Sequence, residues 1–383
     1  MKKLLALTLA LLMVLSLAAC GSSVDPTAQL NEIQAALDKI DSALDGLAAA
    51  APAAPAEEGD AEEPAEEAPA APVIDFEPAT VRVAYMPNLG SAGSLFVGID
   101  QGFFEEVGLN VEVYEFQGGP AEIAAMASGD IDISQIGHGA HALCIEGEAV
   151  IFAMDHTTSL SDVVVGNRSH GIETAADLAG KTVAVSSGTS SEIILQQALA
   201  AAGLTMDDIE VVEMTVDTMT TAMIAGQLDA CAAWSPNTIV LQDQLGDDYV
   251  NLGGNADFLD SAIFPSSYIT TQAYADEHHD ILVRFAMALN KAHDYRLANQ
   301  EDMAKSLAKH IDSDEETQIR ALGEADWETI TKVCGDMDAI KTVYETQQGI
   351  FLNNGRITEP VDVDNYVLFD VMQEAYDAYE AAK

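Results

Sequence analysis

Apolar positions along this chain recur in two rhythms, every second residue or every third to fourth, and the switches between them mark its elements. Val81–Met86 reads as a strand, and residues 91–102 read as a helix. Val111–Phe116 alternates as a second strand, Pro120–Ser128 as a helix, and Ile131–Ile136 as a third strand. A helix over 139–147 and a strand over 150–154 complete this unit. A second unit of the same kind follows: strand Thr182–Val185, helix 190–202, strand Ile209–Met214, helix 218–226 and strand Ala230–Trp234. Beyond about residue 270 the pattern is mostly helical, ending in a long run near 364–382. Strands alternating with helices predict parallel sheets covered on both faces. Pro265–Ile269 reads as a strand returning to the first unit, so the expected architecture is α/β with a second lobe inserted into the first. Lobe 1 is expected at 76–165 and 260–383, and lobe 2 at 166–259.

The first 75 residues follow other rules. Lys2 and Lys3 precede a short apolar run, so residues 1–19 read as a signal peptide. The run Leu17-Ala18-Ala19-Cys20-Gly21 resembles the lipobox of bacterial lipoproteins, which makes Cys20 the expected lipidated N-terminus. Over 27–50, Leu30, Ile33, Leu37, Ile40, Leu44 and Leu47 form a short heptad seam, so 20–50 reads as a lipid-anchored helical stalk. Residues 51–72 hold seven acidic and no basic side chains among Ala and Pro. Such a stretch buries no core and repels itself, so 51–75 is expected to be an extended, disordered linker.

Composition narrows the function. The 383-residue chain is 49% hydrophobic and carries a formal charge of −47. Cores for two domains are affordable in length, while nucleic acid and anionic headgroups, which need a basic surface, are excluded as partners. Cys144, Cys231 and Cys334 are far apart and odd in number, so free thiols are expected rather than a disulfide framework. No GxSxG, P-loop or HExxH pattern occurs, and no cofactor is expected.

Open α/β sheets bind ligands beyond the carboxyl ends of their strands. That rule selects Asn88 after the first strand, Gln117 and Gly118 after the second, and Gly137 and His138 after the third. It also selects Asp155 and His156 after the fourth. In the second lobe, Ser187, Gly188, Thr189, Ser190 and Glu192 lead into a helix. Hydroxyls, a glycine and free helix amides suit an anion, although Thr189 and Glu192 also have the spacing of a plain capping box. Trp234 closes a strand and is either a cleft wall or a core aromatic. Ser266, on the returning strand, joins the set. Asp155 and Glu192 offer an alternative chemistry, the binding of an ammonium group. His138 and His141 have HxxH spacing, but without a third ligand no metal site is expected.

Several words along the chain resemble the nitrate/sulfonate/taurine group of ABC-transporter substrate-binding proteins, which includes binders of thiamine-pyrimidine precursors. They are Gly102-Phe103-Phe104-Glu105-Glu106-Val107-Gly108-Leu109-Asn110-Val111, Ala127–Asp132, Asp177–Ala184 and Ala225–Ala230, in family order over about 81–300. Trp234-Ser235-Pro236 departs from the pattern, because the family usually has an acidic residue where Ser235 stands. The resemblance implies a two-lobe periplasmic-binding-protein-like (type II) fold that closes on a small polar solute. The implied solute is sulfonate-, taurine- or nitrate-like, with a pyrimidine or amine as alternative. It also implies ABC permease and ATPase partners. A ligand-sensing lipoprotein without transport remains the competing role. Fungal-type pyrimidine synthases resemble the same fold, but their cysteine-rich motif is missing here.

Overall fold

The computed structural model describes residues 76–260 and 262–383. The expected signal peptide, the lipidated Cys20, the stalk and the acidic linker lie outside the described residues. No described helix is long and apolar enough to cross a membrane.

Two sheets organise the described chain. The first contains β1 (Ala79–Tyr85), β2 (Leu109–Glu115), β3 (Ile133–Ile136) and β4 (Val150–Thr158). The second contains β5 (Val163–Asn167), β6 (Thr182–Val185), β7 (Glu210–Glu213), β8 (Ala230–Ala233) and β9 (Tyr249–Gly254). The chain then returns to the first sheet with β10 (Pro265–Thr270) and the two-residue β11 (Ala325–Asp326). The spatial orders are β11-β4-β10-β3-β1-β2 and β7-β6-β8-β5-β9.

Neither sheet is purely parallel, which corrects the expectation from strand–helix alternation. β10 runs antiparallel to both β3 and β4, and β5 runs antiparallel to both β8 and β9. The second sheet also begins at Val163, ahead of the expected start at 166, because Val163–Asn167 forms its own strand.

Hydrophobic side chains cover each sheet on both faces. In the first lobe, Phe104, Phe152, Tyr268 and Phe285 cluster on one face under the Leu89–Asp100 and His279–Ala298 helices. Phe285 is the hub, with ring centroids 4.7 Å from Phe104 and 5.6 Å from Tyr268. Ile136, Ile151, Phe264, Tyr344 and Phe351 fill the other face beneath the Met337–Asn353 helix. In the second lobe, Met219, Met223 and Leu241 cover one face, and Ile194, Leu195 and Leu199 the other. Rings and aliphatics of this size supply most of the folding free energy, at about 25 cal/mol per Å² of apolar surface buried.

Strands β4 and β10 are buried along their whole length. β4 starts apolar, with Val-Ile-Phe-Ala-Met, and ends polar, with Asp-His-Thr-Thr. Its polar end cannot be stabilised by water and must find partners inside the protein. That end lies where the two lobes meet.

Candidate functional site

Two connections join the sheets, residues 159–162 on the way out and 255–264 on the way back. They are stitched together: the Asp162 amide donates to Asn255 Oδ1 at 2.7 Å, and the Asn255 amide donates to the Asp162 carbonyl at 3.1 Å. The antiparallel register puts the start of β5 beside the end of β9, with Val163 opposite Gly254. Ends of β1, β3, β4, β6 and β8 therefore converge with the starts of β5 and β10 on one cleft.

The lobes are closed over this cleft. Gly139 of lobe 1 faces the backbone of Thr189 so tightly that a Cβ there would lie 2.1 Å from its carbonyl carbon. Pro120 packs against Gly188, which has φ +73°. At the rim, Arg320 donates to both oxygens of Asp243, at 2.5 and 2.9 Å, across the lobe boundary. At the back, the Asn354 amide donates to Gln196 Oε1 at 2.7 Å.

Between them lies a cavity of about 50 Å³ with many polar residues in its lining. Asp162 is its structural centre: Oδ2 lies 3.0 Å from His138 Nε2 of lobe 1, and Oδ1 accepts from the Ser190 hydroxyl of lobe 2 at 2.5 Å. One hinge carboxylate thus touches both lobes. Gln135 donates Nε2 to the Gly90 carbonyl at 3.1 Å, which fixes its amide and leaves Oε1 buried without a partner. Glu324 is 5% exposed, and its Oε2 also lacks a hydrogen-bond partner. Burial pushes the Glu324 carboxyl up to about 8; the Ser235 hydroxyl and the Gly90 amide oppose the rise, and the Asp162 charge adds to it.

Behind the cavity sits a second buried carboxylate in the opposite condition. Asp155 accepts from Arg296 Nη1 at 2.8 Å and from the Ser94 hydroxyl at 2.8 Å, and it contacts His293 at 2.7 Å and His156 at 2.9 Å. Although burial opposes ionisation, the Arg296 guanidinium with the two imidazoles holds Asp155 well below the usual carboxylate range. Arg296 also lies over the Trp327 ring, 5.0 Å from its centroid.

Outside the cavity, a vestibule of about 520 Å³ shares Met86, Asn88 and Trp234 with it. Its wall carries Glu115, Asp217, Asp312 and Asp314 and no lysine or arginine.

Of the expected site residues, Asn88, Gly137, His138, Thr189, Ser190, Trp234 and Ser266 line the cavity. Asn88 also caps the Leu89–Asp100 helix by accepting from the Ser91 amide at 2.8 Å. Gln117 lines the vestibule instead, donating to Glu115 at 3.2 Å. The others stand apart for identifiable reasons. Successive strand side chains point to opposite faces, so His156 lines the cavity while Asp155 turns away to Arg296. Gly118 packs against Thr189 in the lobe contact. Ser187 is exposed and donates both its amide and its hydroxyl to Glu213, at 3.0 and 2.7 Å. Glu192 accepts from the Gly188 amide at 2.8 Å, so these two residues complete a local cap. His138 and His141 do not converge: His141 Nδ1 faces Gln347 at 3.0 Å, and burial takes its pKa down to about 3. Cys144 and Cys231 are buried free thiols, and Cys334 is a half-buried one.

Sequence reading missed Asp162, Glu324 and Gln135. Asp162 precedes a strand rather than following one, Gln135 lies within β3, and Glu324 sits in a short turn far along the chain. A lone acidic residue ahead of an apolar Val-Val-Val run was the one available signal, for Asp162.

Comparison with known proteins gives a consistent picture. A family model described as NMT1/THI5 like matches residues 91–303, more than half of the chain. A putative binding protein of Brucella abortus is 29% identical over 293 residues, covering 76% of this chain and 90% of its own. Among solved structures, the periplasmic nitrate-binding protein of Synechocystis superposes with a TM-score of 0.66 at 16% identity, covering 79% of this chain and 90% of that one. The alkanesulfonate-binding protein of Xanthomonas axonopodis, solved with MOPS bound, gives 0.61 at 20% identity, covering 77% and 99%. These likenesses establish a two-lobe periplasmic-binding-protein fold.

Proposed function

This chain belongs to the NMT1/THI5-like family, and from that premise we propose that it is the extracytoplasmic solute-binding component of an ABC importer. It captures a small polar solute between its lobes and delivers it to permease and ATPase subunits. The observation that carries this reading is the closed cleft, in which a hinge carboxylate, Asp162, bonds to His138 of one lobe and Ser190 of the other. A group so placed senses whether the lobes are together, as a receptor that closes by hinge motion requires. Relatives named as binding proteins support a receptor rather than an enzyme.

The same reading assigns the first 75 residues to delivery and tethering. Cys20 carries the lipid, and the stalk and acidic linker give the lobes reach from the membrane. Replacing Cys20 with Ser is expected to shift the protein from the membrane fraction to the soluble one.

The functional test pairs binding with uptake. A solute that binds the mature chain at 100 times its dissociation constant stabilises it by about 2.7 kcal/mol. Loss of uptake of that solute on deletion of the protein supports transport. Unchanged uptake of a solute that binds tightly favours the sensing role and overturns the importer reading.

A further inference from the structure

Two oxygens of residues lining the cavity are left without partners. Gln135 Oε1 is an acceptor fixed in place by its own Nε2 bond to Gly90, and Glu324 Oε2 is a carboxyl oxygen. Both residues line the cavity and are more than nine-tenths buried. His156 Nδ1 lies 2.9 Å from Asp155 Oδ2, and the His156 ring lines the cavity beside them. A buried acceptor without a donor costs about 1–3 kcal/mol, which an incoming N–H group repays.

The charges agree. No lysine or arginine lines the cavity or the vestibule among the described residues. Arg296, the nearest buried guanidinium, is committed to Asp155. Three donors at the mouth of the Ser190–Ala201 helix are taken by protein carboxylates: the Gly188 amide by Glu192, the Ser187 amide by Glu213, and the Ser190 hydroxyl by Asp162. An entering anion meets Asp162 with no lysine or arginine in the cavity lining to offset it. An entering cation passes four vestibule carboxylates that raise its local concentration.

We propose that this cleft takes a solute with a cationic nitrogen head, an ammonium or guanidinium, and rejects sulfonate and nitrate. The head sits between Glu324, Gln135 and Asp162, and any remaining atoms extend past Trp234 into the vestibule. A cavity of about 50 Å³ has room for a head of only a few heavy atoms, given roughly 10–15 Å³ per water-sized occupant. The inference rests on the solute-receptor reading and refines its cargo.

Calorimetric titration of the mature chain tests it, with methylammonium, ethanolamine and guanidinium against methanesulfonate and nitrate. The cations are expected to bind one per chain and the two anions not at all. Glu324→Gln, which keeps the shape but cannot give up a proton to the arriving cation, should weaken cation binding by about tenfold or more, the scale of one lost charge-assisted hydrogen bond. Asp312→Asn, on the exposed vestibule wall, should leave the fold intact and reduce the dependence of the association rate on salt. Binding of an anion alone overturns the cation assignment and leaves the receptor reading standing. Cation binding indifferent to Glu324→Gln overturns the assignment to this cavity. Silence toward both classes overturns the assignment and counts against the receptor reading as well.

Discussion

The two walls of the cleft are built from similar polar residues and end in opposite states. On the lobe 2 side, the Gly188 amide, the Ser187 hydroxyl and the Ser190 hydroxyl are already matched to Glu192, Glu213 and Asp162. On the lobe 1 side, Gln135 and Glu324 are buried, each with an oxygen unmatched. The sequence points to the first wall, since serines and glycine before a helix look like an anion cradle. The chemistry that waits for a ligand is on the second. A donor-rich loop is an anion site only if the protein does not supply the anions itself.

The same contrast recurs between the two carboxylates on lobe 1. Asp155 is ionised and held by Arg296, whereas burial pushes Glu324 up to about 8. Breaking the first pair should have the largest effect. Arg296→Met leaves Asp155 buried without its guanidinium, and loss of one partner from such a pair typically costs about 3–5 kcal/mol. Urea denaturation should show that loss, with the midpoint lowered and the fold still two-lobed.

Next comes the contact that closes the walls on each other. Gly139→Val puts a side chain where a Cβ already meets the Thr189 backbone at 2.1 Å. Closure should fail and solute affinity should drop by about a hundredfold, while each lobe keeps its stability, because the affinity for a closed state is scaled by the fraction that can close. Retained affinity would mean that the solute does not require this closure.

A smaller effect separates the buried carboxyls by pH. Glu122 and Glu324 are both pushed from 4.5 up to about 8 by burial, so the native chain holds their protons where the unfolded chain has lost them. Their stabilising effect is complete below pH 4.5 and is lost as pH rises to about 8. His141 and His293 are lowered from 6.5 to about 3 and about 4, and their opposing effect acts only below pH 6.5. Between pH 6.5 and 8 the unfolding free energy should therefore fall with rising pH, by up to about 1.4 kcal/mol per unit for each carboxyl. Glu122→Gln, which keeps an acceptor for the Ser134 hydroxyl, should flatten that slope. A slope unchanged by the substitution would rule out Glu122 as its source.

Smallest is the rim latch. Asp243→Asn weakens an exposed pair with Arg320, and exposed pairs are worth about 0.2–1 kcal/mol. Solute release faster by up to about fivefold is the corresponding expectation.

Much of the fold was legible because its strands and helices carry clean periodicity. Thr182–Val185 and the helix from Ser190 stand where the pattern put them. β5 and β9 escaped notice because one is an unbroken Val-Val-Val run without alternation, buried throughout, and the other ends in two glycines. Overlooking them also hid the antiparallel pairing. The site was legible only in part for the same reason. The rule of carboxyl strand ends finds His138 and Trp234, but an antiparallel strand brings its amino end to the cleft, and that end carries Asp162. Of Asp155 and His156 only the second lines the cavity, because one residue along a strand is the difference between the cavity and the core.

The most direct test is native mass spectrometry of the protein isolated from its own cells, followed by denaturation to release what the lobes hold. One small nitrogen cation per chain, missing from Gly139→Val, is the predicted result. A stoichiometric sulfonate or nitrate, or the same small molecule retained by Gly139→Val, would contradict it.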